Sequence, residues 1–295
     1  MDDAAWVEIF ELRRPFLTGL AYRMLGSRAD AEDVVQDVFV KWLGTDRYAV
    51  DNPAAWLTTV CTRRCLNELE SARRARTEYF GMWLPEPVQG SGAQSPEQEA
   101  ELACSLSTAF LLLLERLAPK ERAAYLLHEI FGLGHAEVAS AIGVREEACR
   151  KLVSRARVNI GRPVARQHVP PHRQQSLLHA FRHAISTGQT DLLSGLLAED
   201  VVLAADGGGK VAAIATPLSG RETVLGFIAT SLSAWWRGYA WEETTINGSH
   251  GALLRSGGVL EAAVSFSYDS QGCATGIYVV RNPDKLASLS LGGVA

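Results

Sequence analysis

Long apolar runs are missing from this chain. A dense stretch such as FLLLL at 110–114 is five residues, against the roughly 20 a membrane-spanning helix needs. The start, MDDAAWVEIF, is acidic, so it lacks the positive beginning of a secretory signal. Cysteine is scarce: five in 295 residues, odd in number and widely spread. That excludes a disulfide framework and points to free thiols in a reducing cytoplasm. Metal-ligand spacing is lacking too. Cys61 and Cys65 stand four apart on an expected helix, but no second close Cys/His pair accompanies them, so core packing is the better reading and no metal or cofactor is expected. An overall basic excess is absent: the net charge is −4, which argues against general nucleic-acid coating but not against local basic patches. No fixed-period repeat is present.

What is there is a globular composition, 47% hydrophobic and 21% charged, long enough for two or three domains. The organisation changes along the chain. Residues 1–83 read as all-helical: a helix over about 4–24 ending at Gly26-Ser27, a second with Asp30 in its first turn, and a third from Asn52-Pro53 to about Arg76, with Asn as cap and Pro at the first position. Residues 84–103, beginning LPEPVQGSGAQSPEQEAE, read as an acidic, mobile linker. A second helical unit occupies 104–162. Residues 172–295 read as an α+β domain. Helices are expected at about 172–187 and 219–236, and strand-like alternation in DVVLAAD, YAWEETTI, GALLRS, GVLEAAVSFSYD and CATGIYVVR.

The segment DAEDVVQDVFVKW (30–42) is the first with functional content. On a helix, Ala31, Val34, Val35, Val38 and Trp42 form an apolar stripe. Asp30, Asp33 and Asp37 share another side, beside Glu32, Gln36 and Phe39. A solvated surface explains a lone acidic face. A docking face is the alternative.

GHAEVASAIGVREEACRKLVSRARVNI (134–160) has helix-turn-helix spacing. Val138, Ala139 and Ile142 form the buried side of a short helix, and Gly143 supplies the positive φ of the turn. Val144 plugs the angle, and Ala148, Leu152 and Ala156 face inward on the second helix. Arg145, Arg150, Lys151, Ser154, Arg155 and Arg157 then face outward, as groove and phosphate contact requires. A second basic cluster comprises Arg63, Arg64, Arg73, Arg74 and Arg76, near Tyr48, Trp56, Tyr79, Phe80 and Trp83. Cations beside aromatic rings suit unpaired DNA, whose bases stack on π-faces; Trp56 taken singly reads as core.

These blocks resemble bacterial sigma factors of the sigma-70 family, in the extracytoplasmic-function (ECF) group. FLTGLAYRMLGSRADAEDVVQDVFVKWL and NPAAWLTTVCTRRCLNELESARR resemble sigma region 2. LERLAPKERAAYLLHEIFGLGHAEVASAIGVREEACRKLVSRAR resembles region 4. Residues 172–295 resemble the SnoaL-like, ketosteroid-isomerase-like cone fold. Within them, DGGGK (206–210) and NPDKL (282–286) are similar to motifs of the SigJ-like subgroup, which carries such a domain after region 4.

The resemblance implies two all-α sigma domains followed by an α+β cone, and a protein that is not an enzyme. The implied partners are RNA polymerase core, through the β′ clamp helices and the β flap, and promoter DNA, with no membrane; a small-molecule ligand in the cone is open. Glu32, Asp33, Gln36 and Asp37 would dock polar contacts on the clamp, with Phe39 and Trp42 adding apolar area. The loop at 46–52, with Tyr48, Asn52 and Trp56, would capture a flipped −10 base, and Arg63, Arg64, Arg73 and Arg74 would hold its backbone. The helix from Arg145 would read the −35 element. Leu152 departs from the basic residue common there. Asp206, Gly207, Gly208, Gly209, Lys210, Asn282, Pro283, Asp284, Lys285 and Leu286 would make a regulatory interdomain contact to region 2 or the linker, with Lys210 and Lys285 near acidic residues there. On spacing alone, DGGGK reads as a hairpin turn and NPDKL as a turn entering the last strand.

Two other functions compete. A one-component regulator with a ligand-sensing last domain explains the helix-turn-helix but not the acidic helix. An enzyme active in the cone has candidates in His179, His183, Asp200 and Tyr278, provided they converge.

Overall fold

The computed structural model describes residues 3–77, 79, 81–89, 106–161 and 169–290. The chain forms two compact units: Met1–Glu78 with Leu113–Pro163, and Tyr79–Leu112 with Val164–Ala295.

The first unit is helical: α1 (Asp3–Leu25), α2 (Arg28–Leu43), a 3₁₀ turn (Arg47–Ala49), α3 (Pro53–Thr77), the end of α4 (Thr108–Leu114), α5 (Pro119–Tyr125) running into a π turn (Leu126–Ile130), α6 (His135–Ile142) and α7 (Glu146–Ile160). Local chemistry sets these boundaries. Gly26, at φ +70°, ends α1. Ser27 Oγ caps α2 by accepting from the Asp30 N–H at 3.2 Å, and Asn52 Oδ1 caps α3 by accepting from the Ala55 N–H at 3.0 Å. Each such cap contributes about 1 kcal/mol. Gly143, in the left-handed region at φ +69°, ends α6 and makes the turn into α7. The apolar stripe of α2 is buried as its spacing predicts: Ala31, Val34, Val35, Val38 and Trp42. Trp42 is fully buried, 5.6 Å from the Trp6 ring and 5.3 Å from that of Trp56. Its indole N–H donates to Trp6 O at 3.0 Å.

The second unit holds α8 (Pro171–Thr187), the short α9 (Asp191–Ser194), β1 (Leu197–Asp206), β2 (Leu218–Ser219), α10 (Arg221–Phe227) continuing through a π turn (Ile228–Leu232) into α11 (Ser233–Trp236), β3 (Ala240–Ile246), β4 (Ser249–Ser256), β5 (Val259–Tyr268), β6 (Ala274–Val280) and α12 (Pro283–Ser290). The six strands lie in the order β2-β1-β6-β5-β4-β3. β1 and β6 pair in parallel; the other neighbours are antiparallel. One face carries the larger core, with Phe181, Trp236, Val264, Phe266 and Ile277 among its buried residues. The other face presents Ala204, Ile246, Leu253, Ala263 and Val280, covered by Leu84 and by Leu286 and Leu289 of α12.

That second face corrects the linker expectation. Leu84, Pro85, Glu86 and Pro87 are buried. Val88 and Asn247 exchange hydrogen bonds, Val88 N–H to Asn247 Oδ1 at 2.7 Å and Asn247 N–H to Val88 O at 2.8 Å. A bare apolar sheet face needs a cover, and this segment supplies it; Pro85 and Pro87 suit a strap that donates few backbone bonds. Residues 90–103 lie outside the described residues. NPDKL is also corrected: it is the first turn of α12, after the last strand, with Asn282 Oδ1 accepting from the Asp284 N–H at 3.1 Å.

Candidate nucleic-acid and docking interfaces

On α2 the polar candidates Glu32, Asp33, Gln36 and Asp37 are all exposed. Glu32 pairs with Arg28 at 2.8 Å and Asp37 with Arg64 at 2.8 Å. Exposed pairs of this kind contribute little and exchange readily for other partners. Phe39 is half-buried against Phe10, ring centroids 4.7 Å apart. Trp42 is corrected outright: with no exposed surface it is a core residue and offers nothing to a partner. The apolar area on the exposed face comes instead from Val40 and Leu43, 61% and 43% exposed. They continue the Gln36 stripe at i+4 and i+7, a signal present in the sequence.

Tyr48 stands 74% exposed in the 3₁₀ turn, its ring edge-on to Trp6 at 5.7 Å. Asp46 Oδ1 accepts from its N–H and holds the turn. Asn52 is committed to capping α3 through its side-chain oxygen. Trp56 is half-buried on Trp42. Arg64 bridges Asp37 and Glu68 at 2.8 and 3.3 Å, and the hydrogen bond to Asp37 raises its pKa above the usual guanidinium value. Arg63 reaches another part of the unit, donating to Ser140 O at 3.1 Å and Ala141 O at 3.3 Å. Arg73 and Arg74 fall in the last turns of α3, where side chains lie outside the described residues; Phe80 lies outside them entirely. Tyr79 and Trp83 are not free to stack on bases here, because both contact Lys285.

The helix-turn-helix is built as expected at its first helix, with Val138, Ala139 and Ile142 buried. The second helix differs in register. Cys149, Leu152, Val153, Ala156 and Ile160 face inward, whereas Ala148 is exposed. Arg145 is the N-cap residue of α7. The remaining cations sit in pairs: Arg150–Glu146 at 2.6 Å and Lys151–Glu147 at 2.9 Å are exposed, Arg157–Glu129 at 2.6 Å uses a half-buried carboxylate, and Arg155–Glu121 at 3.2 Å a buried one. Ser154 is exposed between them, and Val158, 78% exposed, extends the outward face. Four carboxylates thus hold the cations in place of an anionic partner. Phosphates bearing full charges at high density displace the exposed pairs of Arg150 and Lys151.

The two C-terminal motifs meet one another. Asp206 has no exposed surface, and its carboxylate accepts four bonds: Tyr79 Oη–H at 2.6 Å, Leu84 N–H at 2.9 Å, Gly208 N–H at 2.9 Å and Lys285 Nζ at 2.7 Å. The Lys285 ammonium also donates to Leu84 O and lies 4.4 Å from the Trp83 ring and 5.2 Å from that of Tyr79. Burial first, then the Asp206 carboxylate, pushes the Tyr79 phenol well above its usual pKa. Asn282 Nδ2 donates to Tyr79 Oη at 3.0 Å. The glycines permit the approach. Gly208 has φ +61°, and a Cβ there would stand 2.4 Å from Asn282 Nδ2; one on Gly207 would stand 2.4 Å from Val211 O. Gly209 has φ +70°. DGGGK is therefore a turn, opening the long connection between the antiparallel β1 and β2, and a contact. Pro283 opens α12, and Leu286 is buried in the second-face core. The acidic partners of Lys210 and Lys285 are corrected: they are Asp284, at 2.6 Å, and Asp206, both within the motifs.

The enzyme candidates do not come together. His179 is exposed on α8 and Asp200 is exposed on β1. Tyr278 packs on the second sheet face, its hydroxyl 3.3 Å from Ser267 Oγ. Among the described residues, no group of three His, Cys, Asp or Glu is placed to hold a metal ion, and no helix is long and apolar enough to cross a membrane.

With these surfaces in view, two family models match: Sigma-70 region 2 over residues 9–75 and Sigma-70, region 4 over residues 107–160. The chain is 38% identical to the ECF RNA polymerase sigma factor SigJ of Mycobacterium tuberculosis over 75% of this chain and 72% of that protein. It is 32% identical to the probable ECF RNA polymerase sigma factor SigI of the same organism, over 78% and 86%. The crystal structure of M. tuberculosis SigJ matches with a TM-score of 0.72 at 30% identity, covering 95% of this chain and 98% of that one.

Proposed function

The chain belongs to the ECF RNA polymerase sigma factors, and from that premise we propose which of its surfaces do the work of promoter recognition and transcription initiation. The acidic face of α2 docks on the β′ clamp helices of the core enzyme through Glu32, Asp33, Gln36 and Asp37, with Phe39, Val40 and Leu43 supplying apolar area. Tyr48 meets an unpaired −10 base while Arg63 and Arg64, with Arg73 and Arg74, hold the strand. α7 enters the −35 major groove with Arg150, Lys151, Ser154 and Arg155 outward, and Arg145 and Arg157 reach the flanking phosphates. The region 4 helices meet the β flap. The observation that carries this reading is the pairing, in one chain, of an exposed acidic helix face with a helix-turn-helix whose second helix is cationic. A one-component regulator needs only the latter.

Asp33→Arg with Asp37→Arg tests it. Reversing charge at a complementary interface costs several kcal/mol, on the order of a thousandfold in affinity. Both side chains are exposed on α2, so the fold should survive. Co-elution of the double variant with polymerase core at wild-type strength would refute the docking assignment.

The C-terminal domain modulates this activity through Asp206–Lys210 and Asn282–Leu286, which hold the strap leaving region 2. The supporting geometry is the Asp206 hub, which gathers Tyr79 and Leu84 of that strap. The second unit offers a small-molecule ligand an open groove lined by His172, His179, Leu192 and Glu243. Transcription by the Gly208→Ala protein at the wild-type rate, once the strap is shown to be released, would overturn the modulatory role.

A further inference from the structure

The outward face of α7 is not cationic throughout. At about 100° per residue, Glu147, Lys151, Ser154 and Val158 fall opposite the buried line of Cys149, Leu152, Val153, Ala156 and Ile160. The side chains of Glu147 and Lys151 are 80% and 72% exposed and pair at 2.9 Å. Val158 continues the same line and is also exposed. Glu146 differs from its neighbour: it lies at the flank, 45% exposed, and pairs with Arg150. A carboxylate thus stands on the centre line of the face proposed for the −35 groove. It stands there in the first turn of the helix, where recognition helices meet base edges.

We propose that Glu147 is a specificity-determining residue that selects cytosine at one position of the −35 element and excludes thymine and guanine there. The inference rests on the reading of α7 as the −35 helix. An ionised carboxylate only accepts hydrogen bonds. Phosphates repel it, so it cannot serve as a backbone contact. In the major groove guanine presents O6 and N7, and thymine presents O4 and a methyl group, so neither base offers a donor. Adenine presents N6–H with the N7 acceptor beside it, whereas cytosine presents N4–H and no acceptor. Cytosine is therefore the base whose groove edge is wholly suited to Glu147. The pairing with Lys151 sharpens the selection. In the free protein each charge satisfies the other. DNA that takes Lys151, through a phosphate or a guanine, leaves Glu147 without its cation in the groove, where an unpaired carboxylate is costly. A cytosine N4–H removes that cost, and an acceptor in the same place raises it. Glu147 works by exclusion as much as by attraction.

The test uses holoenzyme reconstituted from the full chain and polymerase core, with duplexes randomised across the −35 and −10 regions, and sequences the DNA that is bound. Wild type should show one −35 position at which cytosine is preferred over thymine and guanine by roughly 5- to 150-fold. Glu147→Ala should reduce that preference to within about threefold and leave the other −35 positions as in wild type. It should also bind duplexes lacking the cytosine more tightly than wild type does. Glu147→Gln, which both donates and accepts, should move the preference to adenine, whose N6 and N7 it matches. A merely structural role predicts neither the tightening nor the move, and the exposure of Glu147 leaves the fold of both variants intact. A wild-type −35 motif without such a cytosine would overturn the inference, as would a cytosine preference unchanged in Glu147→Ala or a selectivity lost equally at every −35 position. Each of these leaves the −35 assignment of α7 standing. Wild-type holoenzyme with no base preference at all upstream of the −10 element would overturn that assignment, and this inference with it.

Discussion

Lys285→Met probes the hub of the second unit. It removes one of four donors to the Asp206 carboxylate and keeps most of the side chain's length. The pair's side chains are 12% and 0% exposed, so Asp206 would be left as a buried anion facing three neutral donors: Tyr79 Oη–H, Leu84 N–H and Gly208 N–H. Breaking a buried pair from one side costs about 3–5 kcal/mol. The Leu84 carbonyl loses its lysine donor as well. The cost falls on the strap, because Leu84 and Tyr79 are bound through this hub. Hydrogen exchange read by mass spectrometry on peptides spanning 81–89 should therefore show protection falling roughly 150-fold or more, at 1.4 kcal/mol per tenfold. Peptides from α1 should keep theirs. Adding Asp206→Asn to Lys285→Met should restore part of the loss, since two contacting groups couple by about 0.5–3 kcal/mol. Protection of 81–89 within about threefold of wild type in the single variant would show that the strap is held by its apolar contacts alone and that the hub argument is wrong.

The other expectations are shorter to state. Gly208→Ala should destabilise the second unit by about 1–3 kcal/mol, because φ +61° and the Asn282 side chain both oppose a Cβ; a thermal melt following the sheet measures it. Arg150→Ala should cost roughly 1–3 kcal/mol with relaxed base preference if it meets a base edge, and Lys151→Ala should flatten the salt slope if it meets a phosphate; footprints across the −35 element distinguish the two. Burial, then the His128 ring stacked 4.0 Å away, lowers the pKa of His135. A folded pKa below the unfolded one means that the unfolded chain takes up its proton first. Stability is then fully present above pH ~6.5 and is lost as pH falls through the folded pKa; an NMR titration placing His135 at or above its usual midpoint would contradict this.

The sequence carried the helical half of the fold well because its periods are long and its punctuation strong. Asn52-Pro53, Ser27 and Gly143 all stop or start helices where their chemistry demands. Two expectations fail for different reasons. The angle of Trp42 already places it in the apolar stripe, and its docking role comes from the resemblance alone, whereas Ala148 is a register error of one position, the inward place being that of Cys149. Around α2 the angle of Trp42 belongs to the buried stripe, and that of Val40 and Leu43 to the acidic face. The strap at 84–89 was illegible for a different reason. Its burial is dictated by a sheet face formed from β-strands more than a hundred residues later, and composition within the strap says nothing of that face. Nothing in either motif's own sequence names its partner, either. Asp206 and Lys285 are brought together by the parallel pairing of β1 with β6, which sets Asp206 opposite Val280.

That parallel pairing bears on why a turn and a contact are one feature here. Parallel neighbours end at the same edge of a sheet, so the chain leaving β1 and the chain leaving β6 emerge side by side. The first exit is DGGGK and the second is NPDKL. An aspartate at the end of one strand and a helix-starting Asn-Pro at the end of the next therefore share one corner, and glycine at 207–209 lets the first exit turn without colliding with Asn282. A buried carboxylate at such a corner needs donors. Lys285, in the first turn of α12, supplies a cation, and the strap supplies Tyr79 and the Leu84 amide. The strap is thus not merely laid on the domain; it completes the hydrogen-bonding of Asp206, whose burial would otherwise be costly. A C-terminal domain prepared without residues 79–89 should then expose both the apolar second face and this unsatisfied carboxylate. It is expected to self-associate, in a way that a synthetic peptide spanning Tyr79–Gln89 reverses. A monomeric, well-folded domain in the absence of that peptide would refute the dependence.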